Sequence, residues 1–319
     1  MKEKKIAFLS TLLLLLVGFY YFYEVRYAGK QKERAALSRK VLNIKDHDIE
    51  CIRIKKSKET VVLEKRDKEW FLAEPIKVRA DTWAVDQIIH TLANGTWERE
   101  ITLLLQDLAD FGLADPEIEV ALSGKGLSEP RKVLIGAESP TGNMRYVRVG
   151  EEGRVLLIYA RFKDVLDKTP DKLRDKHILR FKEDDVFKIV WHADEKTFVA
   201  EKKENKWVLV EPAGKKITES EIRSLVWRLE GLKFKKIYEK PEHPVSYYGL
   251  DRPHSMIRVM NKEKQIIGDL SFGMRKEPTV SYYAKAEGRS TVYELSYDFV
   301  KDLPEPEEEK EKKQTKDDS

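Results

Sequence analysis

The residues of this chain that could do chemistry are its histidines, its carboxylates and a few hydroxyls, and their spacing is poor for catalysis. The six histidines (His47, His90, His177, His192, His243 and His254) are scattered. None sits at the H-x-x-x-H spacing that places two imidazoles on one helix face for a metal. Cys51 is the only cysteine, so neither an intramolecular disulfide nor a thiolate zinc site can form. Asp86 and His90 stand four apart on a predicted helix, within mutual reach, and read as a surface hydrogen bond rather than an acid/base pair. Ser139-Pro140-Thr141-Gly142-Asn143 has no following G-K-[ST] and reads as a loop, not a phosphate cradle. No G-x-S-x-G elbow occurs to support a serine hydrolase. The sequence therefore assigns no catalytic, cofactor-binding or metal-ligating residue, and a non-enzymatic protein is the expectation.

The elements that would have to position any such residue are themselves duplicated. Trp70–Pro75 (WFLAEP) returns as Trp207–Pro212 (WVLVEP), and 207 − 70 = 137. The same shift carries Leu42 onto Leu179, Asp48 onto Asp185, Leu92 onto Leu229, Gly112 onto Gly249, Gly136 onto Gly273 and Tyr146 onto Tyr283. A constant register of this kind marks an internal repeat, and it makes the most conspicuous residues parts of a scaffold. Asp86 and His90 map onto Arg223 and Trp227, so that pair is not duplicated. Glu74 and Glu211 are equivalent carboxylates in separate copies, a structural device more than a catalytic pair. Trp70 and Trp207 share a hairpin context that favours a core position over a stacking platform.

Each copy opens with strands. Thr60–Lys65 and Trp70–Ala73 flank a polar turn, as do Thr197–Lys202 and Trp207–Val210, and Pro75 and Pro212 end these hairpins. A helix follows: Val85, Ile88, Ile89 and Leu92 fall at i, i+3, i+4 and i+7, and so do Ile222, Leu225, Val226 and Leu229. Asp81 caps the first, and Thr218 with Glu221 forms a capping box on the second. Asn94-Gly95-Thr96 matches a glycosylation sequon but reads more simply as the turn that ends the helix. Further alternating strands and a short closing helix complete each copy. The expected class is α+β: two tandem repeats of a mainly antiparallel sheet, each with one amphipathic helix packed on it. The expected divisions are repeat 1 over 41–166, a charged linker over 167–177, repeat 2 over 178–303 and a disordered charged tail over 304–319.

Charged residues make up 36% of the 319 positions, yet 60 basic against 56 acidic leave a net charge of only +4. The signs are interleaved, as on a solvated surface, and a nucleic-acid partner is not expected. Ile6–Tyr23 carries no charge, and at 1.5 Å per residue its roughly 18 residues would span about 27 Å. Phe19 to Tyr23 put aromatic rings at one end, where they suit the headgroup level. Bulky aromatics and Glu24-Val25-Arg26 follow, where signal-peptide cleavage would need small residues, so 1–23 reads as an uncleaved cytoplasmic tip and membrane anchor. A charged stalk over 24–40 would lift the body off the bilayer. Counting basic residues favours a cytoplasmic body, whereas a very short basic N-terminus favours a signal anchor with the body outside; the latter is the reading taken.

The Trp-x-Leu-x-Glu-Pro hairpin end, Ala80-Asp81 with Val85-Asp86, the Phe/Tyr-Gly-Leu-x-x-Pro step, Leu134-Ile135-Gly136 and the Tyr146-Val147-Arg148 strand occur in that order. The pattern resembles the bacterial family called domain of unknown function 4340, over nearly all of the chain from the anchor to Leu303. Repeat 2 departs from it, with Ile217-Thr218 for Ala-Asp and Phe272-Gly273-Met274 for Ile-Gly. The resemblance implies one N-terminal membrane helix, tandem repeats, and an auxiliary role beside ABC transporters of the gliding-motility type. The expected function is thus a membrane-anchored, extracytoplasmic accessory or scaffold protein, partnered by the bilayer through Ile6–Tyr23 and by a membrane complex. Its scaffold or interaction residues would be Trp70, Glu74, Pro75, Gly112, Trp207, Glu211, Pro212 and Gly249. The alternative is a module binding cell-wall glycan or peptide through aromatics such as Trp83, Trp97, Tyr247 and Tyr248.

Overall fold

The computed structural model describes residues 2–23, 39–101, 108–150, 154–193, 196–213, 215–305 and 307–308. The chain divides into two compact units, Met1–Asp175 and Lys176–Ser319. Helix α1 (Lys2–Tyr21) comes first. Its described side chains, including Leu12 to Leu16 and Phe19 to Tyr21, are all exposed. Among the described residues no helix is long and apolar enough to cross a membrane. The side chains of Ile6, Ala7, Leu9 and Ser10 lie outside those described, as does most of the expected stalk, residues 24–38.

The first unit is a nine-stranded antiparallel sheet. Its strands are β1 (Cys51–Lys56), β2 (Thr60–Arg66), β3 (Glu69–Glu74), β4 (Val78–Arg79), β5 (Arg99–Ile101), β6 (Ile118–Ser123), β7 (Arg131–Glu138), β8 (Met144–Val149) and β9 (Arg154–Tyr159). Across the sheet they run β4-β3-β2-β1-β6-β7-β8-β9-β5. Helix α2 (Thr82–Asn94) buries Val85, Ile88, Ile89 and Leu92 in the core with the inward faces of β1, β2, β6 and β7. Each such side chain contributes about 1.5–3 kcal/mol when fully buried. The Asp81 carboxylate accepts from Ala84 N at 2.9 Å and caps the helix as its position predicts. Gly95 closes the helix, its N donating to Thr91 O, in agreement with the turn reading of the sequon.

Two short helices complete this unit, α3 (Arg161–Leu166) and α4 (Pro170–Leu173). Leu173 is fully buried in the first core and its carbonyl accepts from Asp81 N at 2.8 Å. The division between the units at Asp175 and Lys176 falls inside 167–177, and residues 170–174 of that segment pack as part of the first unit.

The second unit repeats the plan with β10 (Lys188–Ala193), β11 (Lys196–Lys203), β12 (Lys206–Glu211), β13 (Lys215–Lys216), α5 (Glu219–Glu230), β14 (Phe234–Tyr238), β15 (Ser255–Met260), β16 (Ile266–Arg275), β17 (Ser281–Lys285), β18 (Val292–Leu295) and β19 (Glu307–Glu308). Eight strands form its main sheet in the order β12-β11-β10-β15-β16-β17-β18-β14, and β13 pairs separately with β19. The latter pairing places Glu307–Glu308 of the expected disordered tail in a strand; residues 309–319 lie outside those described. Trp191 Nε1 also donates to Pro304 O at 3.0 Å, which ties the start of the tail to the core.

The duplication extends to strand registry. Ile52 pairs with Leu63 and Ile189 with Ala200; Ile118 pairs with Ile135 and Ser255 with Phe272. The bulge between Val62 and Leu63 recurs between Val199 and Ala200. Both hairpins turn through two residues of positive φ, Asp67-Lys68 and Glu204-Asn205, as a two-residue turn matched to strand twist requires. The Glu74–Pro75 and Glu211–Pro212 peptide bonds are both cis. The tandem, mainly antiparallel sheets with one amphipathic helix each are as expected, but strands so dominate each unit that the class is mostly β rather than α+β; apart from α1, the remaining helices have six residues or fewer.

Candidate functional site

The duplicated residues serve the scaffold. Trp70 and Trp207 are 5% and 4% exposed and belong to the two cores, with Lys65 and Lys202 lying over their rings. Glu74 reaches Arg53 at 3.6 Å on an exposed surface, and Glu211 is exposed at the matching strand end. Gly112 and Gly249 have φ of +64° and +67°. A Cβ on Gly112 would meet Ala137 N at 2.8 Å, and one on Gly249 would meet Met274 N at 2.9 Å. The Phe/Tyr-Gly-Leu step therefore crosses the end of β7 or β16 at backbone contact, which explains Gly136 and Gly273 opposite it. Trp70, Glu74, Pro75 and Gly112 belong to the first unit, and Trp207, Glu211, Pro212 and Gly249 to the second.

Other residues singled out in the sequence are placed as follows. Asp86 and His90 do not pair; the His90 ring meets Asn94 Nδ2 at 3.2 Å instead. Asn94 also accepts from Lys40 Nζ at 2.9 Å, so its amide is occupied by the fold. Ser139, Thr141 and Asn143 hydrogen-bond one another within the β7–β8 turn. Among the described residues no group of three or more His, Cys, Asp or Glu is arranged to hold a metal ion. Of the four aromatics offered as platforms, Trp83 is 70% exposed and Tyr247 39%, but Tyr248 is buried and Trp97 half-buried. Tyr248 faces inward because the crossing at Gly249 turns it under Tyr238 and against Tyr283, with ring centroids 5.7 and 5.1 Å away.

Two side-chain clusters are not duplicated, one in each unit, and they share only the matched position of Glu138 and Arg275. In the first unit Lys56–Asp167–Lys163–Glu117–Arg145–Glu138 form a chain of ion pairs at 2.8–3.2 Å. Burial works against the charged forms of Glu117 and Asp167, but hydrogen bonds from Arg145, Lys163 and Lys56 outweigh it and hold both carboxyls below their ordinary values. Lys163 is likewise raised: its two carboxylate partners outweigh its desolvation. The carboxylate contributions exist above the usual carboxylate range and vanish as pH falls through the lowered values. The Lys163 contribution exists below about pH 10 and vanishes as pH rises further.

The carboxylates are more than a third exposed, so each pair is worth at most about 1 kcal/mol. Thermal melts of the first unit should therefore lose stability below about pH 4, and Lys163→Gln should flatten that acid limb. Parallel pH profiles for the two proteins would show that the network contributes nothing.

The second unit has an open cleft of about 450 Å³ lined by Lys236, Tyr238, Lys240, Glu242, His243, Tyr247, Tyr248 and Arg275. β14 supplies Lys236 and Tyr238, the turn before Gly249 supplies His243 and Tyr247, and the end of β16 supplies Arg275. His243 stacks on Tyr247 with centroids 3.9 Å apart, and Arg275 lies 4.6 Å from the Tyr247 ring and donates to its hydroxyl. Tyr238 donates to Glu294 at 2.9 Å; burial first, and then that carboxylate, push its phenol well above the ordinary value, so it remains a neutral donor. Arg275 Nε is buried and has no hydrogen-bond partner among the described residues.

Sequence reasoning missed this group apart from the two tyrosines. The available clue was substitution between copies at matched positions: Arg99, Ile101, Asp110 and Glu138 stand where Lys236, Tyr238, Tyr247 and Arg275 do.

Duplicated antiparallel sheets with shared registry define a tandem-repeat β protein. A family model described as Domain of unknown function (DUF4340) matches residues 70–208 and again 207–314, and the chain belongs to that family. Both matches begin at the tryptophan of the first hairpin, so they follow the period of the repeat and not the boundary of the compact units. No curated protein and no solved structure matches the chain.

Proposed function

We propose that the chain is a non-enzymatic, membrane-anchored accessory protein whose two β units form a scaffold on the extracytoplasmic face, docking onto a membrane complex of ABC-transporter type. The observation that carries the reading is α1, whose described apolar side chains, Phe8, Leu12 to Val17 and Phe19 to Tyr21, are all exposed, while each unit closes a core of its own. A helix apolar on every side needs an apolar surrounding, and Ile6–Tyr23 would find it in a bilayer. The duplication supports a scaffold, since the repeated residues maintain the fold. Alkaline extraction of membranes tests the anchor. The full chain should stay with the pellet and a chain beginning at residue 41 should not; release of the full chain by alkali would refute anchoring through α1.

A second reading is favoured by a specific observation. At matched positions the first unit carries Ile101, Leu103, Leu105, Gln106, Asp110 and Glu138 in place of Tyr238, Lys240, Glu242, His243, Tyr247 and Arg275, so the repeat itself does not require the lining of the cleft. This supports a module that binds cell-wall glycan or peptide, with Tyr247 rather than Tyr248 as the accessible aromatic.

A further inference from the structure

We propose that the cleft between β14, the 243–248 turn and the end of β16 binds a sugar ring carrying a negative charge; this deepens the glycan-binding reading and rests on it. The charge argument comes first. Lys236, Lys240 and Arg275 face the cleft against the single carboxylate of Glu242. Glu294, the partner of the cleft residue Tyr238, is also paired with Lys235. Among the described residues no carboxylate pairs with Arg275, whose recorded neighbours are the Tyr247 hydroxyl and the rings of Tyr247 and Tyr283. A guanidinium that lines the cleft against two aromatic rings, with no carboxylate on it, is arranged to receive an anion.

The second argument concerns the rest of the ligand. A site for a bare anion gains nothing from a carboxylate at its rim. Glu242, His243 and the Tyr247 hydroxyl add acceptors and donors beside the cations, which suits a ligand with several hydroxyl groups. The exposed His243–Tyr247 stack adds an aromatic edge for the apolar face of such a ring. The cleft is wide and open, as a site for one part of a longer saccharide must be.

Evolutionary cost to the scaffold does not explain the group. The matched positions of the first unit hold Arg99, Ile101, Asp110 and Glu138 on the same sheet framework. Glu138 there closes an ion pair with Arg145, whereas Arg275 at the same register is left facing the cleft.

The test is calorimetric titration of the full chain in detergent with glucuronic acid, glucose 6-phosphate, glucose and inorganic phosphate. At least one acidic hexose should bind about tenfold or more tightly than glucose and than phosphate, and the tighter of the two identifies the acidic group. Arg275→Gln should weaken that binding about tenfold. Lys240→Gln, at the exposed rim, should weaken it and leave the midpoint of unfolding unchanged, which separates binding from folding. Equal binding of glucose would overturn the charge inference while leaving the glycan reading intact. Equal binding of phosphate alone would overturn the sugar. Binding of none of the four would overturn the inference and the glycan reading together.

Discussion

Trp207→Ala should cost the second unit about 3 kcal/mol, within the range of about 3–5 kcal/mol for removing a core tryptophan. The ring is 4% exposed and packs in one cluster with Ile222, Leu225, Val226 and Leu229 of α5, so its loss opens a cavity between helix and sheet. The lower end of the range applies because its indole nitrogen is buried without a partner among the described residues, and alanine removes that penalty along with the contacts. Trp70→Ala should cost at least as much in the first unit, where the ring packs with Val85, Ile88 and Leu92. Denaturant unfolding followed by circular dichroism reads both values. A cost below about 1 kcal/mol would mean that the ring is not core, and would restore the stacking-platform reading of these tryptophans.

Gly249→Val should be as damaging for a different reason. The residue sits at φ +67°, where a β-branched side chain is an outlier. Its Cβ would meet Met274 O at 2.5 Å and Met274 N at 2.9 Å, backbone atoms of β16 that cannot swing aside. The left-handed conformation alone costs about 1–2 kcal/mol, and the clash should bring the total to about 3 kcal/mol or more. Gly288 supplies the control. It has φ +71° with nothing within 4 Å of an added Cβ, so Gly288→Ala should cost only the conformational part, about 1 kcal/mol. Thermal melts of both variants decide the matter; equal shifts would show that the crossing of β16 at Gly249 is not close.

The repeat was legible in the sequence because the residues that carry it have no local substitute. A hairpin tryptophan, a positive-φ glycine and a strand-end glycine each answer one geometric need, so both copies keep them at the same offset. Helix periodicity was legible for the same reason, and Val85, Ile88, Ile89 and Leu92 are all buried. Long-range pairing was not. β5 leaves α2 and crosses to the far edge of the sheet to pair with β9, Arg99 opposite Leu157, and β14 does the same with β18. Nothing in the local pattern of 97–101 reveals a partner nearly 60 positions away.

The cleft was hidden by that same pairing. Lys236 and Tyr238 come near His243 and Arg275 only because β14 takes the edge next to β18, whose neighbour is β17. Likewise the inward turn of Tyr248 depends on the crossing at Gly249, so two adjacent tyrosines that look alike in the chain have opposite fates.

The measurement that bears most directly on the proposed role is crosslinking of intact cells with a membrane-impermeant amine-reactive reagent, followed by detergent purification of the tagged full chain. The account predicts that the lysine-rich body is modified from outside and that subunits of a membrane complex are recovered with it. An abundant but unmodified body with no crosslinked partner would contradict both the extracytoplasmic placement and the accessory role.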